Sequence, residues 1–195
     1  MLLYIRYIVS LYIILSVYCI KYSFDNMLLE ETLNEKSMMN GPDLNVAKQY
    51  DVDLNKPPQK NNNSIWIAMK MYNIELPKNT KKPYFSEDTT DRATTTFSDN
   101  IYEAISKEAI EVKIGPSAFT SWAILGSTIA HEVEIHCNQS PLLIIAQDYL
   151  NLNGTANAER KAYIHEILHA DRFGLKTIEL LEIKATLQIY YGQNN

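Results

Sequence analysis

The pattern of hydrophobic and polar positions predicts one strong helix preceded by a short strand. Residues 120–138 carry apolar side chains at intervals of three or four, the spacing of one helical face: Trp122, Leu125, Ile129 and Val133. Residues 111–114 alternate polar and apolar side chains, as a half-buried strand does, and Gly115-Pro116 ends them. A strand followed by a long helix is therefore expected in the middle of the chain.

The remaining pattern is mostly helical. Helices are predicted at 101–109, at 158–172 with Asn157 as cap and Gly174 as stop, and from the Thr177 cap to about Tyr191. Two apolar segments are expected to add to the core, one at 65–72, as helix or strand, and one at 141–152. The polar, Thr-rich residues 77–98 are expected to form a long loop. The predicted fold class is α+β, predominantly helical.

The N-terminus has the pattern of an export signal. Residues 7–20 form a mostly apolar run without charged residues, closed by Lys21. As a helix this run spans about 21 Å, short of a hydrocarbon core of about 30 Å, which favours a signal peptide. An uncleaved anchor and a buried core helix remain alternatives. Residues 1–23 are thus predicted to be a signal peptide or membrane anchor, and the protein to be secreted or membrane-anchored, with membrane contact through this segment if it is uncleaved.

Residues 24–63 are predicted to be a flexible linker. They contain Gly41-Pro42, Pro57-Pro58 and the polar run 59–63, with few aromatic side chains and no sustained period. Such a segment buries too little apolar surface to offset its chain entropy. The folded domain is therefore predicted at residues 64–195, a length sufficient for a real core.

Charge and cysteine content exclude some classes of function. The net charge is -5 and no cluster of Lys and Arg stands out, so nucleic acid is not expected as a partner. The two cysteines, Cys19 and Cys137, are too few for a disulfide scaffold or a cysteine-rich zinc module.

All four histidines lie in two short boxes that also contain glutamate. The first box runs from His131-Glu132 to His136, and the second is His165-Glu166-Ile167-Leu168-His169. Neutral imidazole is the commonest metal ligand, and a neighbouring carboxylate can act as a base. The sequence therefore predicts a metal site.

The first box resembles the active helix of zincin metallopeptidases, whose signature is H-E-x-x-H. In that signature two histidines four residues apart reach one zinc ion, and the glutamate acts as general base. Here His131 and His136 are five residues apart, which places them about 140° apart around an ideal α-helix, against about 40° for a spacing of four. A single π-bulge would return both to nearly one face, and we predict one between them.

The resemblance extends to the flanking segments. In zincins an edge strand ahead of the active helix lines up the substrate, and residues 111–114 hold the similar position here. Zincins of the Glu type take their third ligand from a downstream helix, where Glu159 looks similar. The resemblance thus implies a zincin-like active helix packed with a small strand element, with His131, His136 and Glu159 as zinc ligands.

By the same resemblance, Glu132 is the catalytic base, and Glu134 replaces it if the bulge turns the helix differently. The implied activity is that of a zinc-dependent hydrolase, most naturally a peptidase acting on a protein or peptide. The domain also resembles, more loosely, C-terminal domains of secreted bacterial toxins with similar boxes.

Two alternatives involve the second box. His165, Glu166 and His169 match H-E-x-x-H literally, with Glu179 or Glu182 as a third ligand, but no strand precedes them. The boxes can also cooperate, with His165 or His169 orienting Glu159 or His136. The contrasting class is a non-enzymatic exported helical binding or effector module whose boxes are structural.

Overall fold

The computed structural model describes residues 40–78, 80–97 and 110–191 of the 195-residue chain. The chain divides into two compact units, residues 1–38 and 39–195, and all described residues belong to the second. The predicted signal or anchor, the linker up to residue 39 and the predicted helix at 101–109 lie outside the described residues. Among the described helices, none has the length and apolar character that a membrane crossing requires.

The fold is α+β and predominantly helical, as predicted. The described helices are α1 (Leu44–Gln49), α2 (Asn62–Met71), α3 (Trp122–Ala130), α4 (Pro141–Tyr149), α5 (Gly154–Leu168), α6 (Ala170–Phe173) and α7 (Thr177–Tyr191). The strands are β1 (Tyr84–Phe85), β2 (Ala93–Thr96) and β3 (Glu111–Ile114).

Strand β3 is the centre of a three-stranded sheet with the order β1-β3-β2. It pairs in parallel with β1 and antiparallel with β2. Its bounds match the predicted strand, and its alternation points Val112 and Ile114 into the core, where both are fully buried. Strand β2 has one side paired with β3 and forms an edge of this sheet.

The prediction of a continuous loop at 77–98 is wrong, because β1 and β2 lie inside it. Strand β2 has the sequence Ala-Thr-Thr-Thr. Threonine is β-branched and favours strands, but a short polar strand becomes stable only when a partner is available. That partner is β3, which is distant in sequence.

The folded unit begins before the predicted boundary at Ser64. Residues 40–63 belong to it: Asp43 caps α1 by accepting from the backbone N–H groups of Asn45 and Val46, and Ala47 is buried. The backbone N–H of Gly41 donates to the carbonyl of Asp171 at 2.9 Å. The described part of the predicted linker therefore packs on the domain through a few well-placed apolar side chains, although its composition is polar.

The predicted helix at 120–138 is the core of the unit, and its regular part is α3. Ser121 caps α3 by accepting from the backbone N–H of Ile124. Leu125, Ile129 and Val133 are fully buried. After Ala130 the backbone widens into a π-turn at His131–Ile135 and then tightens into a 3-10 turn at His136–Asn138. The predicted π-bulge is present.

The C-terminal helices also follow the predicted order with shifted ends. Helix α5 begins at Gly154, so Asn157 lies inside the helix and is not its cap. The predicted continuous helix to Arg172 is interrupted at His169, and Gly174, at φ +67°, ends α6 in the left-handed conformation. Helix α7 runs from Thr177 to Tyr191, so the predicted range is confirmed, but Thr177 is its first residue and not its cap.

Candidate metal centre

Three side chains meet at one point: one from the π-turn, one from the 3-10 turn that follows it and one from α5. The Nε2 atoms of His131 and His136 lie 3.1 Å apart. Glu159 completes the group, with one carboxylate oxygen 3.5 Å from His131 Nε2 and the other 3.3 Å from His136 Nε2. These are the three residues that the sequence analysis assigned as ligands.

The π-turn is what allows the two histidines to meet. The backbone N–H of His136 donates to the carbonyl of His131, five residues earlier, as well as to that of Glu132. This i→i+5 bond adds one residue to the turn, so residues five apart share a helical face. The two imidazole centroids are consequently only 4.9 Å apart.

The spacing of the three ligand atoms suits a small metal ion. Zinc binds imidazole nitrogen and carboxylate oxygen at about 2.0–2.1 Å, so ligand atoms of a tetrahedral site lie about 3.3–3.4 Å apart. The two Nε2 atoms lie 3.1 Å apart, near that value, and each of them lies 3.3 or 3.5 Å from a different oxygen of Glu159. One ligand atom from each residue lies within 4.8 Å of the other two. Among the described residues, no other group of histidine, cysteine and carboxylate side chains has such spacing. The group can therefore hold a metal ion.

Glu166 orients His131 from behind. Its Oε1 lies 2.8 Å from Nδ1 of His131, which leaves Nε2 directed at the group. Arg92 binds the same carboxylate with two hydrogen bonds of 3.0 and 3.3 Å, and the hydroxyl of Ser127 donates to it. A carboxylate behind a ligating imidazole is a common support in metal sites, because it fixes the tautomer and the ring orientation.

Gln139 orients His136 in the same way. Its Oε1 lies 2.8 Å from Nδ1 of His136, and its side-chain amide donates to the carbonyl of Ala158 at 3.1 Å. Ala158 directly precedes Glu159. One side chain thus links the π-turn to the part of α5 that carries the third ligand.

The electrostatics of the group favour positive charge at its centre. Burial lowers the pKa of His131, but hydrogen bonds and charges from Glu159 and Glu166 outweigh burial and raise it to about 10. Burial raises the pKa of Glu166, but Arg92 and His131 outweigh burial and lower it to about 2. The pKa of Glu159 also lies well below its usual range, because hydrogen bonds from both histidines outweigh burial. Both carboxylates are therefore ionised at neutral pH.

Glu132 and Glu134 point to different surroundings. The side chain of Glu132 accepts a hydrogen bond of 2.6 Å from the Thr95 hydroxyl on β2 and lines the same cavity as the three ligands. Glu134 instead forms two hydrogen bonds, of 2.7 and 2.9 Å, with the guanidinium of buried Arg172, and it does not line that cavity. The geometry therefore favours Glu132 over Glu134 as a base.

A cavity of about 890 Å³ opens in front of the group. Its walls include residues 93–95 of β2, Tyr163 of α5 and the face of α7 that carries Glu179, Glu182 and Tyr191. The ring of Tyr163 packs edge-on against His131, with centroids 4.8 Å apart. A ligand in this cavity would contact both the three-residue group and the edge strand β2 of the sheet.

The second box is divided between two roles. Glu166 serves the first box, whereas His165 and His169 pack ring against ring at 4.4 Å beside Glu134 and Arg172. They orient neither Glu159 nor His136, so that alternative is wrong, and the described residues contain no three-ligand group built on His165 and His169. Glu166 faces Ser127 of α3 and His131. His165 of α5 and His169, which follows the helix, lie instead beside Glu134 and Arg172.

Sequence reasoning missed the supporting residues. Gln139 stands three positions after His136, a spacing at which side chains on one helical turn meet, and this was a usable signal. Arg92 and Thr95 come from the segment predicted as a loop, so nothing in their local sequence marked them.

Comparison with known proteins does not assign the chain to a family. No protein-family model matches the chain, and neither a curated protein nor a solved structure matches it. Any functional conclusion therefore depends on the geometry of the site itself.

The histidines of the second box predict a loss of stability in mild acid. Burial lowers the pKa of His165 to about 3 and also lowers that of His169. In the unfolded chain these histidines bind protons near pH 6.5, whereas in the folded chain they stay neutral to lower pH. The folded state is therefore most stable above pH 6.5 with respect to these groups, and its stability falls as the pH drops toward 3. We expect a loss of roughly 1.4 kcal/mol per pH unit from His165 in this window, measured by urea unfolding from pH 7.5 to 5.

The variants His165→Gln and His169→Gln test the origin of this loss. Each is expected to flatten the dependence of unfolding free energy on pH below 6.5, whatever its stability at pH 7.5. The pKa of His131 is raised, so its titration affects stability only between pH 6.5 and about 10, where stability falls as the pH rises. Below pH 6.5 it does not change the slope of unfolding free energy against pH. A slope that stays at the wild-type value in both variants would contradict the assignment.

Proposed function

We propose that the protein is a zinc-dependent hydrolase, and specifically a peptidase, exported or membrane-tethered through its N-terminal apolar segment. The observation that carries this proposal is the group of His131, His136 and Glu159, whose ligand atoms all lie within 4.8 Å of one another, with the carboxylate of Glu132 in the same cavity.

The donor set favours zinc over other common ions. Two imidazoles and one carboxylate match the three protein ligands of several catalytic zinc sites, which leave a fourth position open. Calcium and magnesium prefer sites made entirely of oxygen. When bound, the ion would polarise a substrate carbonyl and lower the pKa of a water molecule.

The residues of the chain supply the proton transfer. In this proposal the Glu132 carboxylate accepts a proton from the attacking water and returns it to the leaving amine. The Thr95 hydroxyl holds this carboxylate at 2.6 Å and so fixes its orientation. Burial raises the pKa of Tyr163 to about 12, so its hydroxyl stays protonated and can donate a hydrogen bond within the cavity.

The shape of the site favours a peptide substrate. Strand β2 lines the cavity and has an edge that β3 leaves unpaired. An extended peptide can add to such an edge through backbone hydrogen bonds. The zincin resemblance assigns substrate alignment to an edge strand as well, although β2, and not β3, holds that place here.

Metal removal and replacement test the activity. The purified chain is incubated with a mixture of peptides of varied sequence, and the fragments are identified by mass spectrometry. We expect cleavage that a chelator abolishes and that zinc restores, whereas magnesium does not restore it. Cleavage unaffected by complete removal of metal would contradict the proposal. Absence of cleavage in a zinc-loaded chain would support the non-enzymatic binding module instead.

A further inference from the structure

The cavity extends away from the metal group along two helices. Ile124 and Thr128 on α3 and His131 at the start of the π-turn line it at intervals of four and three residues. At the far end the hydroxyl of Ser121 donates to Glu179 at 2.6 Å. Ten residues separate Ser121 from His131, so with a rise of 1.5 Å per residue this axis is about 15 Å long.

Helix α7 follows the same axis. Its last residue, Tyr191, stacks on Tyr163 with centroids 5.5 Å apart, and Tyr163 in turn contacts His131. The C-terminal end of α7 therefore lies near the metal group. Glu182 and Glu179, which also line the cavity, stand two to three turns earlier, toward the end marked by Ser121.

The far end of the cavity carries uncompensated negative charge. The carboxylate of Glu179 accepts from two neutral donors, the Ser121 hydroxyl and the backbone N–H of Lys176. Glu182 is exposed to the cavity. Among the described residues that line it, Arg92 is the only lysine or arginine, and Glu166 already binds its guanidinium.

A buried hydroxyl lies between the metal group and this acidic end. Thr128 is only 3% exposed and lines the cavity, yet its Oγ1 has no hydrogen-bond partner among the described residues. A threonine inside a helix often satisfies its hydroxyl with the carbonyl four residues earlier. An unsatisfied buried hydroxyl in the wall of a cavity is a group that a polar ligand can satisfy.

We propose that the cavity selects peptides carrying an arginine or lysine whose side chain reaches Glu179 and Glu182, while Thr128 hydrogen-bonds the peptide backbone. The inference rests on the proposed function and names its substrate class. An extended chain rises about 3.3 Å per residue, so the 15 Å axis corresponds to roughly four residues of peptide. Because a basic side chain is long, fewer backbone residues are needed to bring its charge to the far end. We therefore place the basic residue two to four positions from the scissile bond.

Binding tests the inference without requiring turnover. Fluorescein-labelled peptides of one sequence, with arginine, glutamine or glutamate at the scanned position, are titrated with zinc-loaded Glu132→Gln chain. We expect the arginine peptide to bind about tenfold more tightly than the glutamine peptide, a difference of about 1.4 kcal/mol, because only the guanidinium brings a positive charge to the two carboxylates. The preference should weaken with added salt.

Substitutions locate the preference. Glu182→Gln and Glu179→Gln are each expected to reduce the preference for the arginine peptide over the glutamine peptide. The double variant is expected to remove this preference. Glu75→Gln, which changes an exposed glutamate outside the cavity, is the matched control and should leave it intact. Equal affinity for all three peptides, or a preference that survives in the double variant, would overturn the inference.

Cleavage of the same peptides separates this inference from the proposed function. If the wild-type chain cleaves them without regard to charge, the selectivity is wrong and the peptidase stands. If the arginine peptide binds with the expected preference and is never cleaved by the zinc-loaded wild type, the recognition stands and the peptidase proposal fails.

Discussion

Replacing Glu132 by glutamine is expected to lower peptide turnover by about 10²–10⁴-fold while zinc remains bound. Glutamine keeps an oxygen that can accept from Thr95 Oγ1, so the side chain can hold its place. It cannot take a proton from the attacking water. The measurement is kcat/KM for the best cleaved peptide, together with the zinc content of the same preparation.

The control for this prediction is Glu75→Gln, which removes the same charge from the surface outside the cavity. It should retain wild-type turnover. Wild-type turnover by Glu132→Gln would show that another group is the base. Loss of zinc from Glu132→Gln would show that this carboxylate belongs to the ligand set.

Replacing Arg172 by methionine is expected to cost about 3–5 kcal/mol of unfolding free energy, because it removes the guanidinium that neutralises the buried carboxylate of Glu134. Arg172 is 1% exposed. It donates to both oxygens of Glu134 and, at 2.7 Å, to the carbonyl of Tyr72. Urea unfolding at pH 7.5 measures the loss.

The double variant Glu134→Leu, Arg172→Met distinguishes loss of the ion pair with Arg172 from loss of packing. Removing both partners of a buried pair is often close to neutral, so the double variant should recover most of the stability that Arg172→Met loses. A single variant as stable as the wild type, or a double variant no more stable than the single one, would contradict this explanation.

The metal group is the part of the site that sequence predicted best. The five-residue spacing of His131 and His136 is incompatible with one face of a regular α-helix, so a shared site required a bulge, and the backbone contains it. Glu159 was placed by resemblance alone, and the structure brings it within 3.5 Å of both histidines. Local spacing and helix geometry were sufficient for the two histidines, whereas the third ligand required the resemblance.

The supporting residues depended on tertiary pairing, which local spacing does not encode. Glu166 belongs to the literal H-E-x-x-H match, yet it supports His131 through α5 packing across α3. Arg92 and Thr95 reach the site because the edge strand β2 pairs with β3. The early start of the fold, with α1 inside the predicted linker, likewise depends on contacts that a polar composition does not reveal.

Zinc content is the most direct test of the central claim that His131, His136 and Glu159 form a zinc site. The wild-type chain, loaded with zinc and dialysed against metal-free buffer, is compared with His136→Ala and with His169→Ala, the matched control from the second box. We predict about one zinc ion per chain in the wild type and the control, and almost none in His136→Ala. Equal zinc in His136→Ala and the wild type would contradict the claim.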